Sequence, residues 1–361
     1  MSKSIVIFSD GTGNQLKAKG NTNIVRLHSM TQETSTQLRF YDPGVGTEGS
    51  PRALTGIGRS ATKILGLAFG YGVKRNVVEA YTFIMHTWQP GDRIYMFGFS
   101  RGAYTVRALA GMLRVIGLLR PGQENLIPYA LKLFWKGHGK NIDWDLVKEF
   151  TGQFSRTDFP KWGKPVTYVG LWDTVKAVGW FRRRLQLPYT RLLKSVNVIR
   201  HACSLDEWRA QFKAYIVSED ELNKPERDIK EVWFAGVHSD VGGTFEPEHR
   251  LADITLQWIA SGAIASGLDV DDEAFGFFKD LPTEFACGEV HKMGKSWAVT
   301  GISRRKVIPP GAAVHESVKI RMADSEKHAR RYMKRGVDGT NPVEPWPRGD
   351  AASPGQHGPR R

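Results

Sequence analysis

Ser100 is the residue around which reactive chemistry can be built. It lies in Arg93-Ile94-Tyr95-Met96-Phe97-Gly98-Phe99-Ser100-Arg101-Gly102-Ala103-Tyr104-Thr105, an apolar run of strand length that passes through Gly-x-Ser-x-Gly into a segment with Ala103, Val106, Leu109, Ala110 and Leu113 at helical spacing. Glycines flanking the serine leave no side chain where strand and helix cross. The serine can then occupy a strained turn with its hydroxyl raised above the sheet edge. Gly-x-Ser-x-Gly by itself arises by chance in a chain with 38 glycines, and an ordinary strand-helix turn is the plain alternative. The strand before it and the helical periodicity after it favour a nucleophile.

A serine nucleophile needs a base, an acid to orient that base, and donors for an oxyanion. Gly170-Leu171-Trp172-Asp173-Thr174-Val175 ends an apolar run, which would set Asp173 at the carboxyl edge of a sheet; a helix cap or a partner for Lys176 is the plain reading. Trp233-Phe234-Ala235-Gly236-Val237-His238-Ser239-Asp240-Val241-Gly242-Gly243 is a second strand ending in polar residues and glycines, and it would carry His238 to the same edge. The rival base is His315 in Val314-His315-Glu316-Ser317-Val318, with Asp240 as its acid by chain order. The spacing alone leaves the pairs Asp173/His238 and Asp240/His315 nearly even.

The oxyanion donors are expected to be the Arg101 N–H and one amide from the loop that follows Ile5-Val6-Ile7-Phe8, namely Gly11 or Thr12 of Asp10-Gly11-Thr12-Gly13-Asn14. A strand followed by glycines also cradles phosphates, but the spacing fits neither the P-loop nor the dinucleotide fingerprint. Asp10 would repel phosphate unless a cation intervened, which leaves a metal site here as a minor alternative; Asp10 is placed in the substrate-binding set. Trp180 and Phe181 join that set, because they sit beside Arg182-Arg183-Arg184 and ahead of Leu185, Leu187 and Tyr189, a composition suited to a lid or an interfacial segment.

These residues must be positioned by elements whose order is readable. Strands at Ser4 to Ser9, Gln37 to Tyr41, Arg93 to Phe99, Val166 to Leu171 and Glu231 to Val237 alternate with helical patterns at Val73 to Trp88, Ala103 to Leu118 and Ile254 to Gly267. Such alternation predicts an α/β fold with a mostly parallel sheet flanked by helices. Segments 119–165 and 178–200 are expected as helical insertions over the carboxyl edge of the sheet, within one domain spanning 1–335. Residues 336–361, dominated by proline, glycine, arginine and aspartate, are expected to be a disordered tail.

Composition narrows the function classes. No stretch approaches the ~18 apolar residues of a membrane span, and the N-terminus enters a strand at once, which predicts a cytoplasmic protein, with signal-independent export left open. The two cysteines, Cys203 and Cys287, make neither a disulfide framework nor a typical zinc site, so no metal or other cofactor is expected. The formal charge of +14 predicts attraction to anions. A phospholipid surface is favoured over nucleic acid, for which no recognisable motif is present.

Asp10-Gly-Thr-Gly-Asn14, Tyr41-Asp-Pro-Gly-Val-Gly-Thr47, Gly98-Phe-Ser-Arg-Gly-Ala103, Gly170-Leu-Trp-Asp-Thr-Val175, Ser204-Leu-Asp-Glu-Trp-Arg209, Val237-His-Ser-Asp-Val-Gly-Gly243 and Val314-His-Glu-Ser-Val318 occur in that order. Over about residues 1–325 the series resembles an uncharacterised α/β-hydrolase domain family that includes the catalytic part of type VI secretion phospholipase effectors. The resemblance implies a serine hydrolase with its acid at Asp173 and its base at His238. Two departures stand out. Trp208 occupies a place where arginine is usual, and the chain shows no counterpart of the long additional module of secreted members. The expected function is hydrolysis of a carboxylic ester, of a phospholipid or other acyl lipid, through an acyl-enzyme. The alternatives are a non-catalytic module that binds anionic lipid or nucleic acid, and an esterase for small soluble acyl compounds.

Overall fold

The computed structural model of the 361-residue chain describes residues 2–11, 19–44, 61–136, 142–175, 187–209, 212–292, 308–327, 332 and 336–347, with the backbone alone at 61–71, 136 and 326–327. One sheet organises these residues. Its strands are β1 (Ser4–Ser9), β2 (Gln37–Asp42), β3 (Arg93–Phe99), β4 (Val166–Trp172), β5 (Val196–Ser204), β6 (Asp228–Phe234), β7 (Ala313–His315) and β8 (Val343–Glu344). They are ordered β2-β1-β3-β4-β5-β6-β7-β8 across the sheet, and each neighbouring pair is parallel. The helices are α1 (Asn23–Met30), α2 (Ala61–Thr87), α3 (Arg101–Val115), α4 (Ile127–Lys136), α5 (Trp144–Phe154), α6 (Glu219–Leu222), α7 (His238–Gly242), α8 (Arg250–Ala265), α9 (Asp272–Lys279) and α10 (Glu316–Lys327).

Parallel strands buried on both faces read as continuous apolar runs, because alternate side chains serve two separate cores. Ile5, Ile7, Ile94, Met96, Val169 and Leu171 join one core with the apolar faces of α2, α3 and α4. Val6, Phe8, Tyr95, Phe97, Tyr168 and Trp172 join the other with α1 and α8. Strand order reverses at β1, where the chain goes out to β2 and returns to β3 on the opposite side. The carboxyl ends of β1 and β3 flank that switch point, the place where open α/β sheets bind ligands.

The expected strands are present with small shifts: β6 lies at Asp228–Phe234, ahead of the anticipated Glu231 to Val237, and β5 was not anticipated at all. Its apolar run is interrupted by Asn197, Arg200 and His201; the first two bond Lys164 and Asp228 at the surface, and His201 meets Glu231 in the interior. The insertion at 119–165 corrects an expectation. Phe134 of α4 packs at Gly111 of α3, Ser155 Oγ donates to the Ile116 carbonyl at 2.8 Å, and Phe159 packs edge-on to Trp88 at 4.9 Å. Ile116 and Trp88 follow the far ends of α3 and α2, so this insertion covers the helical layer near the start of β3 and does not roof the strands' carboxyl ends.

Of the second expected insertion, residues 176–186 lie outside the described residues. Residues 187–195 run down α3: the Leu187 N–H donates to Tyr104 Oη at 3.3 Å and Ser195 Oγ donates to the Ala110 carbonyl at 2.8 Å. The expected tail also needs correction. Residues 336–347 contain β8, and Trp346 is buried with Nε1 donating to Gln257 Oε1 at 2.6 Å. A two-residue strand in a proline-rich segment gives no periodicity to detect. No described helix is long and apolar enough to cross a membrane.

Two glycines separate packing from propensity. A Cβ on Gly102, in the first turn of α3, would overlap the Ser9 carbonyl at the end of β1, whereas one on Gly152, on an exposed face of α5, meets nothing within 4 Å. Gly102→Ala should lower stability by ~3 kcal/mol or more, or prevent folding, while Gly152→Ala should raise it by about 0.5–1 kcal/mol. Denaturant midpoints of the two variants check this; equal effects would contradict the described packing.

Candidate active site

Three strands of the sheet, β3, β4 and β6, deliver three side chains to one point. Ser100 follows β3, Asp173 follows β4, and His238 follows β6 and opens α7. Ser100 has φ 58° and ψ −116°, a left-handed conformation that a side chain adopts only when its surroundings compel it. The compulsion comes from Gly98 and Gly102: a Cβ on Gly98 would come within 2.5 Å of Ala103 Cα, and Gly102 packs directly on the end of β1. The Ser100 N–H donates to the Trp172 carbonyl at 3.0 Å, which ties the turn to β4.

Asp173, also at positive φ (37°), is fully buried. Its carboxylate is 2.6 Å from His238 Nδ1, and His238 Nε2 is 2.8 Å from Ser100 Oγ. An ionised carboxylate only accepts, so the imidazole carries its proton on Nδ1 and leaves Nε2 to accept from the serine hydroxyl. Ser204 donates twice to the same carboxylate, from N–H to Oδ1 and from Oγ to Oδ2, each at 3.0 Å. The His238 ring packs against Phe99, stacked at 4.7 Å, and against Phe212, edge-on at 4.8 Å. A Cβ on Gly242 would overlap the Phe99 ring, so α7 packs this closely because that position lacks a side chain.

The rival pair is not brought to Ser100. His315 Nδ1 is 2.9 Å from Ser317 Oγ, and the ring stacks on Phe234 at 4.6 Å and meets Trp346 edge-on at 5.6 Å. Asp240 Oδ2 accepts from the Val237 N–H at 2.8 Å and Oδ1 lies 2.6 Å from His291 Nδ1, so this carboxylate braces the helix that begins with His238. The sequence could not show this, because His291 belongs to no recognisable pattern.

The loop after β1 is arranged differently from expectation. Asp10 is buried; its Oδ2 accepts from Thr22 Oγ1 at 2.7 Å and Tyr41 Oη at 3.2 Å, and its Oδ1 accepts from the Gly11 N–H at 2.6 Å. Asp10 therefore holds the loop and is engaged by protein groups, and in this conformation the Gly11 N–H faces Asp10. Thr12, Trp180 and Phe181 lie outside the described residues. Arg101 opens α3, so its N–H lies outside the helical ladder, beside Ser100. Burial lowers its guanidinium to about 10, which leaves it charged at neutral pH.

One cluster has the composition of a metal site. His201, Cys203 and Glu231 are buried with their ligand atoms within 4.8 Å of one another. The histidine and the glutamate are engaged by protein groups: His201 Nε2 accepts from the Thr174 N–H at 3.2 Å, and Glu231 Oε2 accepts from the Val217 N–H at 2.8 Å and lies 2.8 Å from His201 Nδ1. The buried Arg107 guanidinium, 3.2 Å from the same ring nitrogen, supplies the positive charge. We read the cluster as a hydrogen-bonded support for the turn at Thr174. Sequence reasoning missed Ser204, Glu207, Phe99 and Phe212 as neighbours of the site. Ser204 and Glu207 were legible only as parts of a motif without a role.

An α/β-hydrolase-like sheet with a serine, a histidine and an aspartate joined at the carboxyl ends of its strands defines the class. A model of the family "T6SS, Phospholipase effector Tle1-like, catalytic domain" matches residues 3–262, and the chain belongs to that family. It is 34% identical over 220 residues to the uncharacterized protein YEL023C of Saccharomyces cerevisiae, covering 58% of this chain and 32% of that protein. The chain thus spans about a third of this curated relative's length. A crystal structure of an uncharacterized protein from Pseudomonas aeruginosa matches with a TM-score of 0.46 and 18% identity, over 91% of this chain and 51% of that one. The Tle1 effector, in a structure bound to the VgrG spike of the type 6 secretion system, matches with a TM-score of 0.38 and 19% identity, over 68% and 52% of the two chains.

Burial raises the Asp240 carboxyl above its ordinary 3.8, against the opposing pull of the Val237 N–H and His291. The folded state therefore binds this proton more readily than the unfolded chain does. The stability it contributes is complete below that ordinary value and is lost as pH rises through the folded one. Asp240→Asn removes the term, so the variant's Tm relative to wild type should climb as pH is raised from about 4. A difference that is flat or falls with pH would contradict the assignment.

Proposed function

We propose that this protein is a serine hydrolase of carboxylic esters acting on acyl lipids, phospholipids foremost. The observation that carries the reading is the unbroken path from Asp173 through His238 to Ser100, at 2.6 and 2.8 Å, ending on a hydroxyl held in a strained turn. Ser100 Oγ attacks the acyl carbonyl carbon as its proton passes to His238 Nε2. The new imidazolium is stabilised by the Asp173 carboxylate. The tetrahedral oxyanion is met by the Arg101 N–H at the start of α3, where the helix dipole adds partial positive charge. The Gly11 N–H would join only by leaving Asp10. Collapse expels the alcohol, protonated by His238, and leaves an acyl ester on Ser100 Oγ. Water activated by the same imidazole then releases the fatty acid and restores the serine.

The lipid assignment is supported by family membership, by the +14 charge, and by the cationic Arg101 that directly follows Ser100 in the chain. A phosphate-bearing ester lying on an anionic surface suits all three better than a small neutral ester. No step draws on a metal or other cofactor.

Ser100→Ala should reduce kcat on short-chain p-nitrophenyl esters by ~10⁴-fold or more with an unchanged Tm, because losing the nucleophile disables the triad as a unit. Full activity in this variant would refute the mechanism. Incubating wild type with phosphatidylglycerol and phosphatidylcholine vesicles, then measuring released fatty acid and lysolipid, tests the substrate class. Cleavage should be faster on the anionic vesicles, and turnover of soluble esters with no vesicle lipid cleaved would restrict the protein to small acyl compounds.

A further inference from the structure

Resting on the catalytic reading above, we propose that the segment Ser204–Arg209 is a positioning clamp that registers the acid and the base to one another, Ser204 fixing the carboxylate and Glu207 fixing the main chain of the histidine. The segment leaves the carboxyl end of β5, between the strands that carry Asp173 and His238. It reaches both of them directly. Ser204, fully buried, donates N–H and Oγ to opposite oxygens of Asp173, which sets the plane of that carboxylate and presents Oδ2 to His238.

Two residues on, Asp206 and Gly236 are locked together: the Gly236 N–H donates to Asp206 Oδ2 at 2.7 Å and the Asp206 N–H donates to the Gly236 carbonyl at 3.0 Å. Gly236 has φ 113°, so this turn, two residues before the base, depends on an outside anchor. Tyr332 Oη adds a hydrogen bond to the same Asp206 oxygen at 2.7 Å. Glu207 then accepts from the His238 N–H at 3.2 Å.

Glu207 is itself fixed by Arg209, which donates from N–H and Nε to Oε1 at 2.8 and 2.9 Å and from its terminal nitrogen to Oε2 at 2.8 Å. Burial pushes the Glu207 carboxyl upward, but those hydrogen bonds hold it below its ordinary value, so it stays charged near the imidazole. The Arg209 guanidinium lies 3.7 Å from the centre of the Phe212 ring, which in turn meets the His238 ring edge-on. One short segment thus touches the acid, the turn before the base and the base's backbone, and reaches the base's ring through Phe212. A carboxylate that could rotate, or an imidazole that could tilt, would lose the linear path on which proton transfer depends.

The hydroxyl of Ser204 is the member that can be removed with least disturbance. Ser204→Ala should lower kcat about tenfold with KM within twofold, the effect of losing one hydrogen bond to a charged group. The acidic limb of the kcat/KM profile should also move. Ser204→Thr, which keeps the hydroxyl, should retain most of the rate, and melting curves establish that each variant is folded. Independently of turnover, the downfield proton resonance of His238 Nδ1–H should shift or broaden in Ser204→Ala and persist in Ser204→Thr. If Ser204→Ala does not fold, Ser204→Cys, nearly isosteric with a feeble donor, should show the same changes. Unaltered kcat, pH profile and Nδ1–H resonance in the folded variant would overturn the clamp, as would equal loss in a folded Ser204→Thr. A wild type inert toward every ester would sink the catalytic reading instead, and the resonance would still decide whether Ser204 orients Asp173.

Discussion

A fully buried carboxylate is the constraint on which the rest of the site depends. Asp173 is shielded from water, so its charge must be met by fixed partners or the group would be expected to neutralise. Among the described residues, Ser204 donates two hydrogen bonds to it and His238 one. Because these partners leave from β5 and β6, the interaction also fixes the register between three neighbouring strands. The sheet and the site therefore stabilise the same geometry, and the imidazole is oriented before any substrate arrives.

Backbone strain is the second ingredient, and it is tolerated because glycines remove the competing clashes. Ser100 and Asp173 both hold positive φ, a conformation costing on the order of 1–3 kcal/mol at each residue. Gly98, Gly102 and Gly242 allow strand, helix and Phe99 to approach closely enough to enforce it. The hydroxyl is consequently presented at the switch point of the sheet. There the Ser9 and Asp10 carbonyls at the end of β1 lie close against Gly102.

Much of this was legible in the amino-acid sequence, for definite reasons. Strands buried on both faces gave apolar runs, and β1, β3 and β4 stood out accordingly. The serine between glycines announced its turn because few residue types fit there. Asp173 and His238 were identified as strand-end polar residues, but choosing them over Asp240 and His315 needed the family resemblance, since chain order alone favours neither. β5 was hidden by Arg200 and His201, polar residues made tolerable by Asp228 and Glu231, and β8 by its two-residue length. The engagement of Gly11 by Asp10 is a matter of local rotamer and hydrogen bonding, which spacing does not encode.

The central claim is that His238, oriented by Asp173, makes the Ser100 hydroxyl nucleophilic. Its most direct test is reaction with a fluorophosphonate probe followed by mass spectrometry of the labelled peptides. The account requires one adduct, on Ser100, formed rapidly in wild type and essentially absent in His238→Ala. No adduct in the folded wild type, or labelling of Ser100 at an equal rate without the imidazole, would contradict it.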